Sequence, residues 1–221
     1  EKEFYKKFDY NVDFVGHPLL DAIETYKPKG EINDEKPIIA VIPGSRKQEI
    51  AKMLPVMLSV KPFFPEYKFV IAGAPSIPAS FYQDFIVEDV EILYNRTYDI
   101  LNKADAAMVT SGTATLETAL FEVPEVVCYT ANYLSYWIAK KLIKVKFISL
   151  ANLIMDREIV KELIQKDFNT QSLVRELKSL LQDSEKINEL KQNYKTLKQK
   201  LGGKGASRKA AELILADLNH D

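Results

Sequence analysis

With one cysteine in 221 residues, the chain can form no internal disulfide. Cys128, within Val126-Val127-Cys128-Tyr129, reads as a buried, reduced core residue suited to a cytosolic compartment. No group of His, Cys and carboxylates has metal-ligand spacing, so a metal-free chemistry is expected. Charge of one sign is not in excess: 30 Lys and Arg stand against 31 Asp and Glu, for a formal net charge of −1. That balance argues against a protein held to nucleic acid by its phosphates. No apolar run reaches transmembrane length, and no signal peptide opens the chain. Internal repeats and low-complexity tracts are missing too. Asn95-Arg96-Thr97 matches a glycosylation sequon, but nothing else points to secretion and it is discounted. The opening Glu1-Lys2-Glu3-Phe4-Tyr5-Lys6-Lys7-Phe8 has no methionine and reads as the interior of a longer protein.

What the chain does have is 47% hydrophobic residues, ample for a core, in short runs that alternate with helical stretches. Strands are expected at 38–42, 68–72, 90–93, 106–110, 126–129 and 146–149. Helices are expected at 48–61, 80–85, 98–103, 113–121 and 133–143. Unbroken apolar runs such as Ile38-Ile39-Ala40-Val41-Ile42 mark parallel strands buried on both faces. The alternation predicts an α/β fold: a Rossmann-like parallel sheet of about six strands flanked by helices, with a helical carboxyl-terminal segment. From 152 onward the pattern is nearly all helical. The expected division is a lead-in over 1–30, an α/β domain over 31–182 and packing helices over 183–221. The lysine-rich run 191–204 has no aromatic platform and reads as a solvated face.

Two strand ends carry the chemistry. Ala106-Ala107-Met108-Val109-Thr110 runs into Ser111-Gly112-Thr113-Ala114-Thr115-Leu116-Glu117. The start of a helix offers N–H groups and the positive end of the dipole to an anion. Gly112 permits close approach of a ligand to the backbone. Glu117, one turn in, repels phosphate but suits a ribose diol. Ordinary N-capping is the alternative reading. The first strand ends in Pro43-Gly44-Ser45-Arg46-Lys47-Gln48-Glu49-Ile50, again a Gly-Ser turn before a helix. Here Arg46 is able to fork onto a phosphate or lie flat on a base. Neither a P-loop nor a G-x-G-x-x-G fingerprint is present. Both turns lie at carboxyl ends of strands, where open parallel sheets bind ligands, and Gly73-Ala74-Pro75-Ser76 lies at another.

Five segments in this order carry a resemblance: Phe14-Val15-Gly16-His17-Pro18-Leu19-Leu20-Asp21, Ile42 to Ile50, Thr110 to Glu117, Ser149-Leu150-Ala151-Asn152-Leu153-Ile154 and Val160-Lys161-Glu162-Leu163-Ile164-Gln165. Over about residues 10–182 the chain resembles the carboxyl-terminal half of lipid-A-disaccharide synthase, an inverting GT-B glycosyltransferase of the cytosolic face of the bacterial inner membrane. The resemblance implies transfer from UDP-2,3-diacylglucosamine to 2,3-diacylglucosamine 1-phosphate, giving a β-1,6-linked disaccharide phosphate and UDP. UDP-sugar is then a substrate, with no cofactor and no metal.

Carried over by position, Gly44, Ser45, Arg46, Ser111, Gly112, Thr113 and Thr115 would surround the diphosphate or base, and Glu117 would accept the ribose hydroxyls. His17, Asn152, Glu162 and Gln165 would border the cleft. Ala151 departs from the family, where proline commonly precedes the asparagine. The resemblance further implies an amino-terminal domain bringing the acceptor and the general base, and a cytoplasmic location peripheral to the inner membrane; a homodimer stays open, since the sequence does not give the oligomeric state. The isolated chain is expected to be nearly inactive. Other UDP-N-acetylglucosamine enzymes of the same plan (the peptidoglycan transferase or a 2-epimerase) and a non-catalytic interaction module are the alternatives.

Several residues keep two readings. His17 suits a hinge or cleft residue, or a structural hydrogen bond. Glu162 and Gln165, read as one helical turn apart, face either the ligand or solvent. The stretch from Tyr133 to Lys144, with Trp137 and several lysines, suits a membrane surface or a helix covering the sheet.

Overall fold

A computed structural model describes residues 2–30, 32, 36–130 and 146–218. They form two compact units, residues 28–194 and residues 1–27 with 195–221. The larger unit is built on β1 (Ile38–Ile42), β2 (Lys68–Gly73), β3 (Val90–Tyr94), β4 (Ala104–Thr110), β5 (Glu125–Tyr129) and β6 (Lys161–Ile164). The smaller begins with α1 (Lys2–Lys6) and α2 (Pro18–Glu24). The sheet is parallel throughout, in the order β3-β2-β1-β4-β5-β6.

The connections α3 (Lys47–Leu58), α4 (Ala79–Gln83), α5 (Thr97–Leu101) and α6 (Thr113–Leu120) fall where the apolar periodicity places helices. All five residues of β1 are buried, as a central parallel strand requires. One face of the sheet packs Ile38, Ala40, Ile42, Val70, Ala72, Ala107 and Val109 against Ile100 and Leu101 of α5 and against Val123. The alternate residues Ile39, Val41, Phe69, Ile71, Ala106 and Met108 are equally buried. Beyond β5 come α7 (Leu150–Met155), α8 (Thr170–Gln182), α9 (Ser184–Lys200) and α10 (Ala206–Leu218). α8 lies against β4, β5, β6 and α3 and buries Leu173, Leu177 and Leu180.

The sixth strand is not where the pattern put it. Residues 146–149 form bends, and the edge strand is Lys161–Ile164, paired to β5 from Val126↔Lys161 to Tyr129↔Ile164. A four-residue edge strand with two charged side chains has no apolar run to announce it. The expected helix at 133–143 lies outside the described residues. Among those described, no helix is long and apolar enough to cross a membrane.

In the smaller unit, His17 is the N-cap of α2, its Nδ1 accepting from Leu19 N at 3.2 Å. Its own N–H donates to Leu201 O at 2.9 Å. Asp21 accepts from Gly205 N at 2.7 Å and Ser207 N at 2.9 Å, so the backbone donors entering α10 hold its carboxyl below the ordinary value.

Among the buried polar residues, a carboxylate of β5 stands without partners. Glu125 opens β5 with 1% exposure, and neither of its carboxylate oxygens has a hydrogen-bond partner. The Tyr194 hydroxyl beside it also lacks one. Burial pushes the Glu125 carboxyl well above its usual value of 4.5. A raised carboxyl supports folding while protonated, fully below that ordinary value, and the support is lost as pH rises toward its folded value. Glu125→Met should therefore flatten the fall in stability as pH rises above the ordinary carboxyl value. At the upper end of that rise it should add about 1–3 kcal/mol. Urea midpoints of the two proteins across that range are the check, and parallel profiles contradict the account.

Candidate functional site

The order of the sheet makes β1 and β4 neighbours, while the chain leaves β1 toward β2 and leaves β4 toward β5. Such a switch point opens a crevice at the carboxyl ends of the strands. A cleft of about 450 Å³ lies there. Its walls are the turn Gly44–Arg46 with Glu49, the loop Gly73–Pro75, Thr97, and the turn Ser111–Ala114 with Glu117. The two glycine turns thus open into one cavity on one rim of the sheet.

Each turn needs its glycine. Gly44 has φ +100° and packs so closely that a Cβ would stand 3.1 Å from Thr110 Cγ2. Gly112, the N-cap of α6, has φ 144° and ψ −161°, a conformation that side chains resist. No atom lies within 4 Å of where its Cβ would be, so this backbone faces open space at the start of the helix.

α6 sorts its polar residues by helical geometry. Thr113 and Glu117, four apart, share a face, and both line the cleft. Thr115, two positions on from Thr113, turns inward and is fully buried. Its hydroxyl donates to Gly112 O at 2.8 Å and accepts from Leu150 N at 3.3 Å. Thr115 therefore braces the turn from inside and does not line the cleft. Ser111 lines the cleft, but its hydroxyl donates to Ile148 O at 2.8 Å. Glu117 accepts from the Tyr98 hydroxyl at 2.8 Å. Arg46 is held by Glu49, Nη1 to Oε1 at 2.8 Å, with its side chain 80% exposed. The bond to Glu49 raises the guanidinium's already high value further. The cleft therefore carries an exposed cation at one turn and a half-buried carboxylate at the other. Glu49, Thr97 and Tyr98 had no role assigned from sequence; only Glu49, three residues from Arg46 on a helix, carried a local signal.

Asn152, Glu162 and Gln165 do not line this cleft. Asn152 is fully buried. Its Oδ1 accepts from Ile159 N at 2.7 Å and Val160 N at 3.0 Å, and its Nδ2 donates to Val160 O at 2.9 Å and Glu162 Oε1 at 2.8 Å. Glu162 also accepts from Ile148 N at 3.0 Å, Ser149 N at 3.0 Å and Ser149 Oγ at 2.7 Å. Glu162 lies in β6, and Gln165 begins a 3₁₀ turn with φ 53°, so no helical face joins them. The Gln165 side chain accepts from Thr130 Oγ1 at 3.1 Å. Glu162 and Asn152 fasten Ile148 and Ser149, and the segment 148–150 in turn holds Ser111 and Thr115. His17 belongs to the other unit, as a helix cap. Burial pushes the Cys128 thiol up and leaves it inert. Among the described residues, no group of three or more His, Cys, Asp or Glu is placed to hold a metal ion.

A six-stranded parallel sheet with its crevice at the switch point is one half of the GT-B architecture, and solved structures share this fold. The UDP co-structure of MnaA from S. aureus superposes with a TM-score of 0.64 at 15% identity, over 93% of this chain and 54% of that one. The glycosyltransferase SnogD from Streptomyces nogalater gives a TM-score of 0.51 at 19% identity, over 84% of this chain and 45% of that one. A family model described as Lipid-A-disaccharide synthetase (LpxB) matches residues 1–217, and the chain belongs to that family. The lipid-A-disaccharide synthase of Syntrophus aciditrophicus (strain SB) is 34% identical over 229 residues, covering 97% of this chain and 60% of the relative. This chain therefore spans about 60% of that relative's length. The family match extends beyond the stretch over which the motifs suggested it.

The Glu162 network predicts a stability effect away from the cleft. Glu162→Gln replaces an acceptor by an amide that turns a donor toward N–H groups. It should cost about 1–3 kcal/mol, read from urea unfolding. An unchanged midpoint would mean that the segment 148–150 is held by other means.

Proposed function

We propose that this chain is the donor-binding half of a lipid-A-disaccharide synthase. It would hold UDP-2,3-diacylglucosamine while the sugar is transferred to 2,3-diacylglucosamine 1-phosphate, releasing UDP. The observation that carries the reading is the single cleft into which both glycine turns open, with Arg46 and Glu117 on its walls. Family membership supplies the substrate class. The diphosphate would meet Gly44, Ser45, Arg46 and the Ser111–Thr113 turn. Glu117 would accept the ribose hydroxyls, and its charge disfavours a phosphate at that position.

Donation from the first turn of α6 and from Arg46 stabilises the negative charge that grows on UDP as the glycosidic bond breaks. The acceptor site and the general base would come from the part of the protein that the curated relatives have beyond this length, so this chain alone would bind nucleotide weakly and transfer little. On this reading the enzyme works at the cytosolic face of the inner membrane, where its acylated substrates lie.

Calorimetric titration with UDP tests the proposal. Glu117→Ala should weaken binding by about 1.5–3 kcal/mol for each ribose hydroxyl that loses its charged acceptor. Absence of heat with millimolar nucleotide, or an unchanged affinity in the variant, contradicts the assignment of the cleft.

A further inference from the structure

The carboxylate of Glu117 is not free to rotate. The Tyr98 hydroxyl donates to Oε1 at 2.8 Å, a charge-assisted bond that fixes the plane of the acceptor. Tyr98 is fixed in turn: its ring lies 5.1 Å from the Phe121 ring at an interplanar angle of 49°, and it packs on the core cluster formed by Ile38, Ile100 and Val123. It stands one residue beyond Thr97, which lines the same cleft. The hydroxyl is a lasting donor, because burial and the neighbouring carboxylate push its ionisation far above the ordinary value of 10.0.

We propose that Tyr98 is a positioning residue that sets the Glu117 carboxylate to receive a ribose diol and so makes the cleft selective for ribonucleotides over 2′-deoxyribonucleotides. The inference rests on the UDP reading of the cleft and deepens it. A carboxylate on a flexible stem meets a diol only after losing the rotational freedom of its terminal bonds. Here the fold has removed that freedom in advance, with a donor that cannot compete for the ligand's own hydroxyl hydrogens. Two diol hydroxyls then face a pre-oriented acceptor, and a 2′-deoxy sugar forfeits one of the two bonds. The phenol touches the nucleotide only through Glu117, so its contribution shows in the choice between sugars and not in the grip on the phosphates.

The test compares UDP with 2′-deoxy-UDP by calorimetric titration of the wild-type chain, Tyr98→Phe and Glu117→Ala. Phenylalanine keeps the ring packing and removes only the hydroxyl, and thermal melts of each variant show that the fold is retained. Wild type should prefer UDP by about tenfold or more, the value of one hydrogen bond to a charged group. Glu117→Ala should abolish the preference. Tyr98→Phe should cut it by about three- to tenfold, weakening UDP more than 2′-deoxy-UDP, which keeps one hydroxyl on the carboxylate. A Tyr98→Phe protein with the wild-type preference overturns the positioning role, as does one that loses both nucleotides equally. If wild type binds UDP with no preference, or Glu117→Ala keeps one, the sugar is read elsewhere and the inference falls while the cleft stands. If wild type binds neither nucleotide, the reading of the cleft itself fails.

Discussion

The adjacency of β1 and β4 is the constraint from which the cleft follows. Their register, from Ile39↔Ala106 to Ile42↔Val109, ends both strands at one level of the sheet. Each then turns through a glycine into a helix, and the helices go to different neighbours. The turns are left side by side with a gap between them. Gly44 lies so close to Thr110 that a single added methyl would press on it. The sequence signature of the site is thus two short turns, at Gly44 and at Gly112, distant in the chain and joined only by parallel pairing.

A second layer of polar contacts holds the first. Glu162 on the edge strand and Asn152 in α7 satisfy the backbone donors and acceptors of 148–149 and 159–160. That segment then takes the hydroxyls of Ser111 and Thr115. Buried polar groups are costly when unpartnered and directional when paired. A chain of such bonds from β6 to the turn before α6 therefore fixes the turn's shape without occupying the cleft. Asn152 and Glu162 lie near the site in function while their side chains face away from it.

The pattern of what the sequence disclosed follows from this division. Strands buried on both faces write themselves as apolar runs, so β1, β2 and β4 were legible. The glycines were legible because only a special backbone needs them beside a strand end. β6 was not, since an edge strand such as Lys161-Glu162-Leu163-Ile164 is half solvated and spaces its residues in a way that a helix also permits. Thr115 suits a phosphate by residue type, whereas its position two residues from Thr113 turns it inward. Tyr98 had no signal, because its importance lies in a contact between α5 and α6 that only the fold creates.

The two charged pairs in the cleft differ in a way that bears on their use. Arg46 and Glu49 meet near the surface with the arginine side chain 80% exposed. An exposed pair is worth little, so a phosphate arriving at that turn competes against a weak hold on the guanidinium. Glu117 and Tyr98 meet in a half-buried setting, against the core and another aromatic ring, where a charge-assisted bond persists. On the proposed reading, the cation that must follow a leaving diphosphate is held loosely, and the acceptor that must recognise an unchanging sugar is held firmly. That asymmetry is what a site needs if one end of its ligand gains charge during the reaction while the other only reports identity.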